Sequence, residues 1–167
     1  MKETHVTHGF GPLFQKDSKV LILGSFPSPK SREQAFYYGH PRNRFWKVMA
    51  AVLREKEPES IEEKKQMMLR NRIALWDVIE ECDIRGASDS SIKNPVPTDL
   101  PRLLSETEIR RIYVTGETAF RLYQKLSRER TGIDAVRLPS TSPANCAFSL
   151  SALMEAYSVI WEECSKE

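Results

Sequence analysis

Cysteine is scarce in this chain. Its three residues, Cys82, Cys146 and Cys164, are an odd number with no C-x-x-C spacing, which argues against a disulfide scaffold or a structural zinc site and reads as intracellular thiols. Histidine is equally sparse. His5 and His8 fall in a turn-rich opening with no third ligand nearby, so no metal is expected there. No apolar run approaches the ~20 residues that span a bilayer, and Met1-Lys2-Glu3 does not lead into a secretory apolar segment, so the expectation is a cytoplasmic protein with no membrane partner. Glycine is also rare, with seven residues, and none forms a G-x-G-x-x-G fingerprint, a G-x-x-x-x-G-K-[ST] phosphate loop or a G-x-S-x-G nucleophile elbow. Nucleotide cofactors and serine-hydrolase chemistry are thereby disfavoured, and no cofactor is expected. Neither sign of charge dominates: 25 Lys and Arg stand against 23 Asp and Glu, a net +2 that does not by itself announce nucleic acid. Paired carboxylates are missing from the candidate loops, with Asp77 alone at a strand end.

What is present is an ordinary globular composition, 40% hydrophobic and 29% charged over 167 residues, enough for one domain with a substantial core. The stretch Val20 to Trp46 organises it. Val20-Leu21-Ile22-Leu23 reads as a buried strand, and Gly24-Ser25-Phe26-Pro27-Ser28-Pro29 breaks it into a loop that carries Tyr37, Tyr38, His40, Arg42 and Asn43. Helical spacing follows from Asn43 to Lys56. A second helix fits Ser60 to Asn71, where Ser60 and Glu63 make a capping-box pattern.

Further strands are expected over Arg72 to Ile79, ending near Asp77, over Ile109 to Thr115, and over Asp134 to Leu138. Helices are expected after Thr98 or Asp99, from Glu117 to Ser127 and from Ser149 to Cys164. Residues 1–19 read as a lead-in, and residues 80–98 as a long surface loop. Strands alternating with helices imply an α/β fold, a three-layer α/β/α sandwich around a mainly parallel four-stranded sheet, in one domain covering residues 1–167. Such a sheet gathers the loops after Leu23, Asp77 and Leu138 on one edge, where sites form.

Those loops hold neutral hydrogen-bonding groups beside aromatic rings: Ser25, Ser28, Asn43, Ser140, Thr141 and Ser142 with Phe26, Tyr37 and Tyr38. Rings stack on nucleobases, amides read base edges or hold a water, and small hydroxyls on tight loops grip phosphates, a set suited to a flipped nucleotide. Asn43 also suits an N-cap of the helix that follows. His40 before Pro41 fits a loop hydrogen-bonder, and a protonated imidazole beside a leaving base is its alternative use. Asp77 reads as a brace for a neighbouring loop, or as a base.

Gly24-Ser25-Phe26-Pro27-Ser28, followed by Phe36-Tyr37-Tyr38-Gly39-His40-Pro41-Arg42-Asn43-Arg44-Phe45-Trp46, resembles the uracil-DNA glycosylase superfamily, and within it the hypoxanthine (deoxyinosine) DNA glycosylase branch. The likeness continues through Leu75-Trp76-Asp77-Val78, Val114-Thr115-Gly116 and Leu138-Pro139-Ser140-Thr141-Ser142-Pro143 into the closing helix. It implies a monomeric DNA-repair enzyme that releases hypoxanthine from DNA without a metal. Phe26 stands where relatives keep a water-holding asparagine or acid, so the resemblance assigns the water to the side-chain carbonyl of Asn43 and the base pocket to Gly24, Ser25, Phe26, Tyr38 and His40. Backbone grip falls to Ser28, Ser140, Thr141, Ser142 and Pro143. Neither Ala144 nor Asn145 is the bulky apolar wedge of relatives, and Pro143 fills part of that gap. No lysine nucleophile appears in the loops, which implies hydrolysis without lyase action. A uracil or mismatch glycosylase, a non-catalytic nucleic-acid-binding module and a nucleoside hydrolase remain the alternatives.

Overall fold

The computed structural model describes residues 2–166. Its elements in order are β1 (Thr4–Thr7), β2 (Val20–Gly24), α1 (Pro29–Gln34), α2 (Phe45–Val52), α3 (Ile61–Arg70), β3 (Ile73–Asp77) and β4 (Ile79–Ile84). After a single 3-10 turn at Asp89–Ser91 come β5 (Lys93–Pro97), α4 (Leu100–Ser105), β6 (Arg111–Thr115), α5 (Glu117–Leu126), α6 (Arg128–Thr131), β7 (Ala135–Leu138) and α7 (Leu150–Cys164).

Four strands form one parallel sheet in the order β3-β2-β6-β7. Val20, Leu21, Ile22 and Leu23 are fully buried. Successive strand side chains point to opposite faces, so burial of every one requires cover on both faces, the signature of the expected sandwich. The helices begin where their caps stand: the Ser60, Asp99 and Ser149 side chains accept from the N–H groups of Glu63, Arg102 and Ala152. Leu153, Tyr157 and Ile160 of α7 are fully buried, and the Tyr157 hydroxyl donates to Pro139 O at 2.6 Å, tying the last helix to the loop after β7.

Parallel register aligns Gly24 with Asp77 and Thr115 with Leu138, so the carboxyl ends of β2, β3, β6 and β7 share one edge. The order changes direction between β2, whose next neighbour in the chain is β3 on one side, and β6 on the other. A crevice opens at such a switch point.

Two sequence expectations are modified by the structure. The lead-in is built into the fold: β1 pairs antiparallel with β4, and Leu13 bridges Leu75. Residues 80–98 are not one long loop, because β4 and β5 pair antiparallel and make with β1 a second, three-stranded sheet; only the connection between them stays exposed, and it lines the cavity. The loop after Gly24 also contains a short helix, α1, capped by Ser28 with Pro29 in its first turn, where a missing N–H costs nothing.

Candidate active site

The edge formed by the strand ends opens into a cavity of about 670 Å³, and every residue singled out as a candidate lines it: Gly24, Ser25, Phe26, Ser28, Tyr38, His40, Asn43, Ser140, Thr141, Ser142 and Pro143. Asp77, Asp89 and Thr115 line it as well.

Its floor is Gly24. A Cβ there would stand 2.5 Å from Asp77 Oδ1, so the close approach of that carboxylate requires glycine, while the Tyr38 hydroxyl would meet it at an ordinary 3.5 Å. Asp77 is held from behind: its Oδ2 accepts from His8 Nε2 at 2.8 Å, with His8 fully buried and packed on Phe10 at 4.4 Å between ring centroids. His8 Nδ1 is buried without a hydrogen-bond partner. His8, which the sequence placed in a turn-rich opening, therefore stands behind the site and braces Asp77. Among the described residues no cluster of metal-binding side chains occurs.

Tyr38 has φ +53°, a left-handed conformation, and its ring stacks on Phe45 at 3.8 Å. Its hydroxyl stands 3.4 Å from Thr115 Oγ1. Burial, and then the negative charge of Asp77, raise its pKa, so the phenol keeps its proton. Tyr37 turns away to donate to Gly11 O at 2.7 Å, and Trp46 Nε1 donates to Tyr37 O at 3.1 Å. Phe26 is 8% exposed, with the Arg32 guanidinium 5.5 Å from its ring centroid.

Asn43 sits where the two strand-end loops meet. Its Oδ1 accepts from Phe45 N–H at 2.9 Å and from the Thr141 hydroxyl at 2.7 Å. The first bond is the cap-like role expected of an asparagine before a helix, and it fixes which amide atom is oxygen, since a backbone N–H can only donate. The second crosses 98 residues of sequence and joins the loops.

Arg44 fastens the far loop by donating to three carbonyls, those of Phe148 at 2.6 Å, Asn145 at 2.9 Å and Ser142 at 3.1 Å. The loop hydroxyls are turned inward as turn formers: Ser140 Oγ accepts from Ser142 N–H and Ser142 Oγ from Ala144 N–H. Phe148, 38% exposed, is the bulky apolar side chain of this segment. His40 is exposed at the rim and its Nδ1 accepts from Arg42 N–H at 3.1 Å, the loop-bonding use.

Asp89 was not found from the sequence. It lies on the 3-10 turn between β4 and β5, and its Oδ2 accepts from the Ser25 hydroxyl at 3.0 Å. Two carboxylates, not one, therefore line the cavity. Asp89 stays exposed at the cavity mouth; crowding by the surrounding loops raises its pKa, the Ser25 bond opposes the rise, and the charge of Asp77 adds to it.

These loops sit on a chain whose residues 12–163 match the Uracil DNA glycosylase superfamily. The chain belongs to that superfamily. A hypoxanthine DNA glycosylase of Methanosarcina acetivorans is 35% identical over 146 residues, 86% of this chain and 91% of that protein. A second hypoxanthine DNA glycosylase, from Methanosarcina barkeri, is 36% identical over 88 residues, 52% of this chain and 55% of its own. A solution NMR structure of a uracil DNA glycosylase candidate from Methanosarcina acetivorans superposes with a TM-score of 0.76 at 30% identity, covering 91% of this chain and 96% of that one. The parallel sheet described above is thus the fold shared with that solved structure.

Proposed function

We propose that this protein is a monofunctional DNA glycosylase that flips deoxyinosine out of DNA and hydrolyses its N-glycosidic bond to release hypoxanthine. The observation that carries the reading is the Thr141 to Asn43 bond, which joins two polar strand-end loops across one aromatic-lined cavity, in a chain similar over most of its length to a hypoxanthine DNA glycosylase. Phe26 and Tyr38 offer faces for the extruded ring, and Asp77 Oδ1, a carboxylate oxygen, suits a ring N–H. Deamination of adenine creates such an N–H at N1, where adenine has a lone pair, so an acceptor there favours the deaminated base.

Asn43 Oδ1 positions the attacking water on C1′ as the glycosidic bond loosens. Water attacking a nearly formed sugar cation needs placement more than deprotonation, which an amide supplies. The N–H groups of the Gly24 loop stabilise charge on the leaving base. Ser28, Ser140, Thr141, Ser142 and Pro143 face the DNA backbone, and the exposed ring of Phe148 fills the gap left in the base stack. The protein acts as a monomer in the cytoplasm, a compartment that suits its free cysteines.

The test is single-turnover cleavage of end-labelled duplexes carrying deoxyinosine, deoxyuridine or a G·T mismatch, with Asn43→Ala alongside. Hypoxanthine release that falls on the order of 10²-fold or more in the variant, with binding retained, supports the reading. Preferential release of uracil replaces the substrate, binding without release leaves a binding module, and a Schiff-base adduct trapped by borohydride overturns the monofunctional assignment.

A further inference from the structure

A purine departs poorly as an anion, and Asn43, the loop hydroxyls and backbone N–H groups hold their protons too tightly to transfer one. Five groups that titrate line the cavity, Tyr37, Tyr38, His40, Asp77 and Asp89. The two phenols are raised out of reach by burial. His40 stands at the exposed rim with its Nδ1 taken up by the Arg42 N–H. Asp77 Oδ2 is engaged by the His8 ring at 2.8 Å, behind the cavity. Asp89 differs from all of them. Its Oδ2 is satisfied by the Ser25 hydroxyl, and among the described residues Oδ1 has no protein donor.

We propose that Asp89 is the general acid that protonates N7 of the departing purine, an inference that rests on the deoxyinosine reading of this site. The Asp89 O–H proton moves to N7 as the C1′–N9 bond breaks, its electron pair passing into the imidazole ring, and neutral hypoxanthine leaves. Water forms the new bond to C1′, its surplus proton passes to solvent, and Asp89 is reprotonated from solvent. Of the groups that face Asp89, Asp77 at the end of β3 is a like charge that favours the proton, the Ser25 hydroxyl opposes it by one hydrogen bond, and Cys82 on β4, whose thiol burial pushes up to about 11, stays neutral and favours neither form. Cleavage therefore declines as pH rises through the pKa of Asp89.

The experiment is single-turnover cleavage from pH 5 to 9 by wild type, Asp89→Asn and Asp89→Glu, on duplexes carrying deoxyinosine or 7-deaza-deoxyinosine, which has no N7 to protonate. Lesion binding is measured by fluorescence anisotropy. The Asn variant is expected to lose on the order of 10²-fold in rate and the falling limb of the profile, the Glu variant to keep the limb, and binding to stay within about threefold. Removing N7 and removing the carboxyl should not add, because both delete one step. Wild-type rates in Asp89→Asn, a slower variant with an unchanged profile, or additive losses would each overturn the general acid alone. Wild type that releases no hypoxanthine at all overturns the substrate reading and this inference with it.

Discussion

The side-chain carbonyl of Asn43 has two lone pairs, and both are engaged by protein donors, Phe45 N–H and the Thr141 hydroxyl. The backbone donor is fixed in place. The hydroxyl turns about its own C–O bond, so in the proposed mechanism Thr141 is the donor that the attacking water displaces. A carboxylate at this position has a second oxygen and need not choose between cap and water. Asn43→Asp is therefore expected to retain far more single-turnover activity than Asn43→Ala, within about tenfold of wild type against a loss on the order of 10²-fold or more. Equal loss in both would transfer the function from Oδ1 to the amide nitrogen. At Gly24 the constraint is steric. The added methyl in Gly24→Ala meets Asp77 Oδ1 at 2.5 Å, and that oxygen cannot swing aside without breaking the bond to His8. The expected cost is about 1–3 kcal/mol in urea denaturation, with cleavage impaired beyond what stability explains.

At the scale of elements, what the sequence made legible was the parallel sheet and its two catalytic-edge loops. Val20 to Leu23 is continuous, apolar and ended by Gly24, and the register of a parallel sheet then puts Gly24, Asp77 and Leu138 on one side without further information. The second sheet was hidden for a physical reason. Register shifts along β4 against β5 break the period of two that marks a half-buried strand, β5 carries two prolines, and β1 is an exposed edge. With those strands went His8 and Asp89, whose partners lie 69 and 64 residues away in the chain. No local pattern encodes such a meeting.

β1 is consequently structural support for the site. His8→Ala leaves Asp77 buried without its partner, and the expected loss is about 3 kcal/mol. Adding Asp77→Asn to His8→Ala should return part of that loss, because it removes the charge that was stranded. Urea denaturation of the two single variants and the double variant measures the coupling, and simple additivity would show that β1 docks independently of Asp77.

Over the whole molecule, the last helix closes the fold through one acid. Glu163 stands in the final turn of α7, where the helix dipole disfavours a negative charge, and its carboxylate accepts from Arg111 Nε at 2.8 Å with Arg110 and Lys166 each 3.5 Å away. The Arg111 bond, more than the other cations, lowers its pKa, while burial opposes the shift. Glu55 is lowered in the same direction by Arg70 and Asn71, which joins α3 to the segment after α2. A carboxylate whose folded pKa lies below its unfolded value adds stability in full above the ordinary glutamate range, and that stability is lost as pH falls through the lowered value. Unfolding on acidification should therefore begin with α7 and α3 loosening from the sheet. Glu163→Gln keeps the shape and removes the charge, so at neutral pH it should cost about 1 kcal/mol, less in high salt because its arginine partners are half-exposed. Below the folded pKa, wild type is itself protonated, and the two proteins should unfold at the same urea concentration. Urea midpoints for both proteins, followed from pH 7 downward until the gap between them stops changing, check the sign, and a gap that persists at that acid limit would mean that Glu163 holds the helix by shape and not by charge.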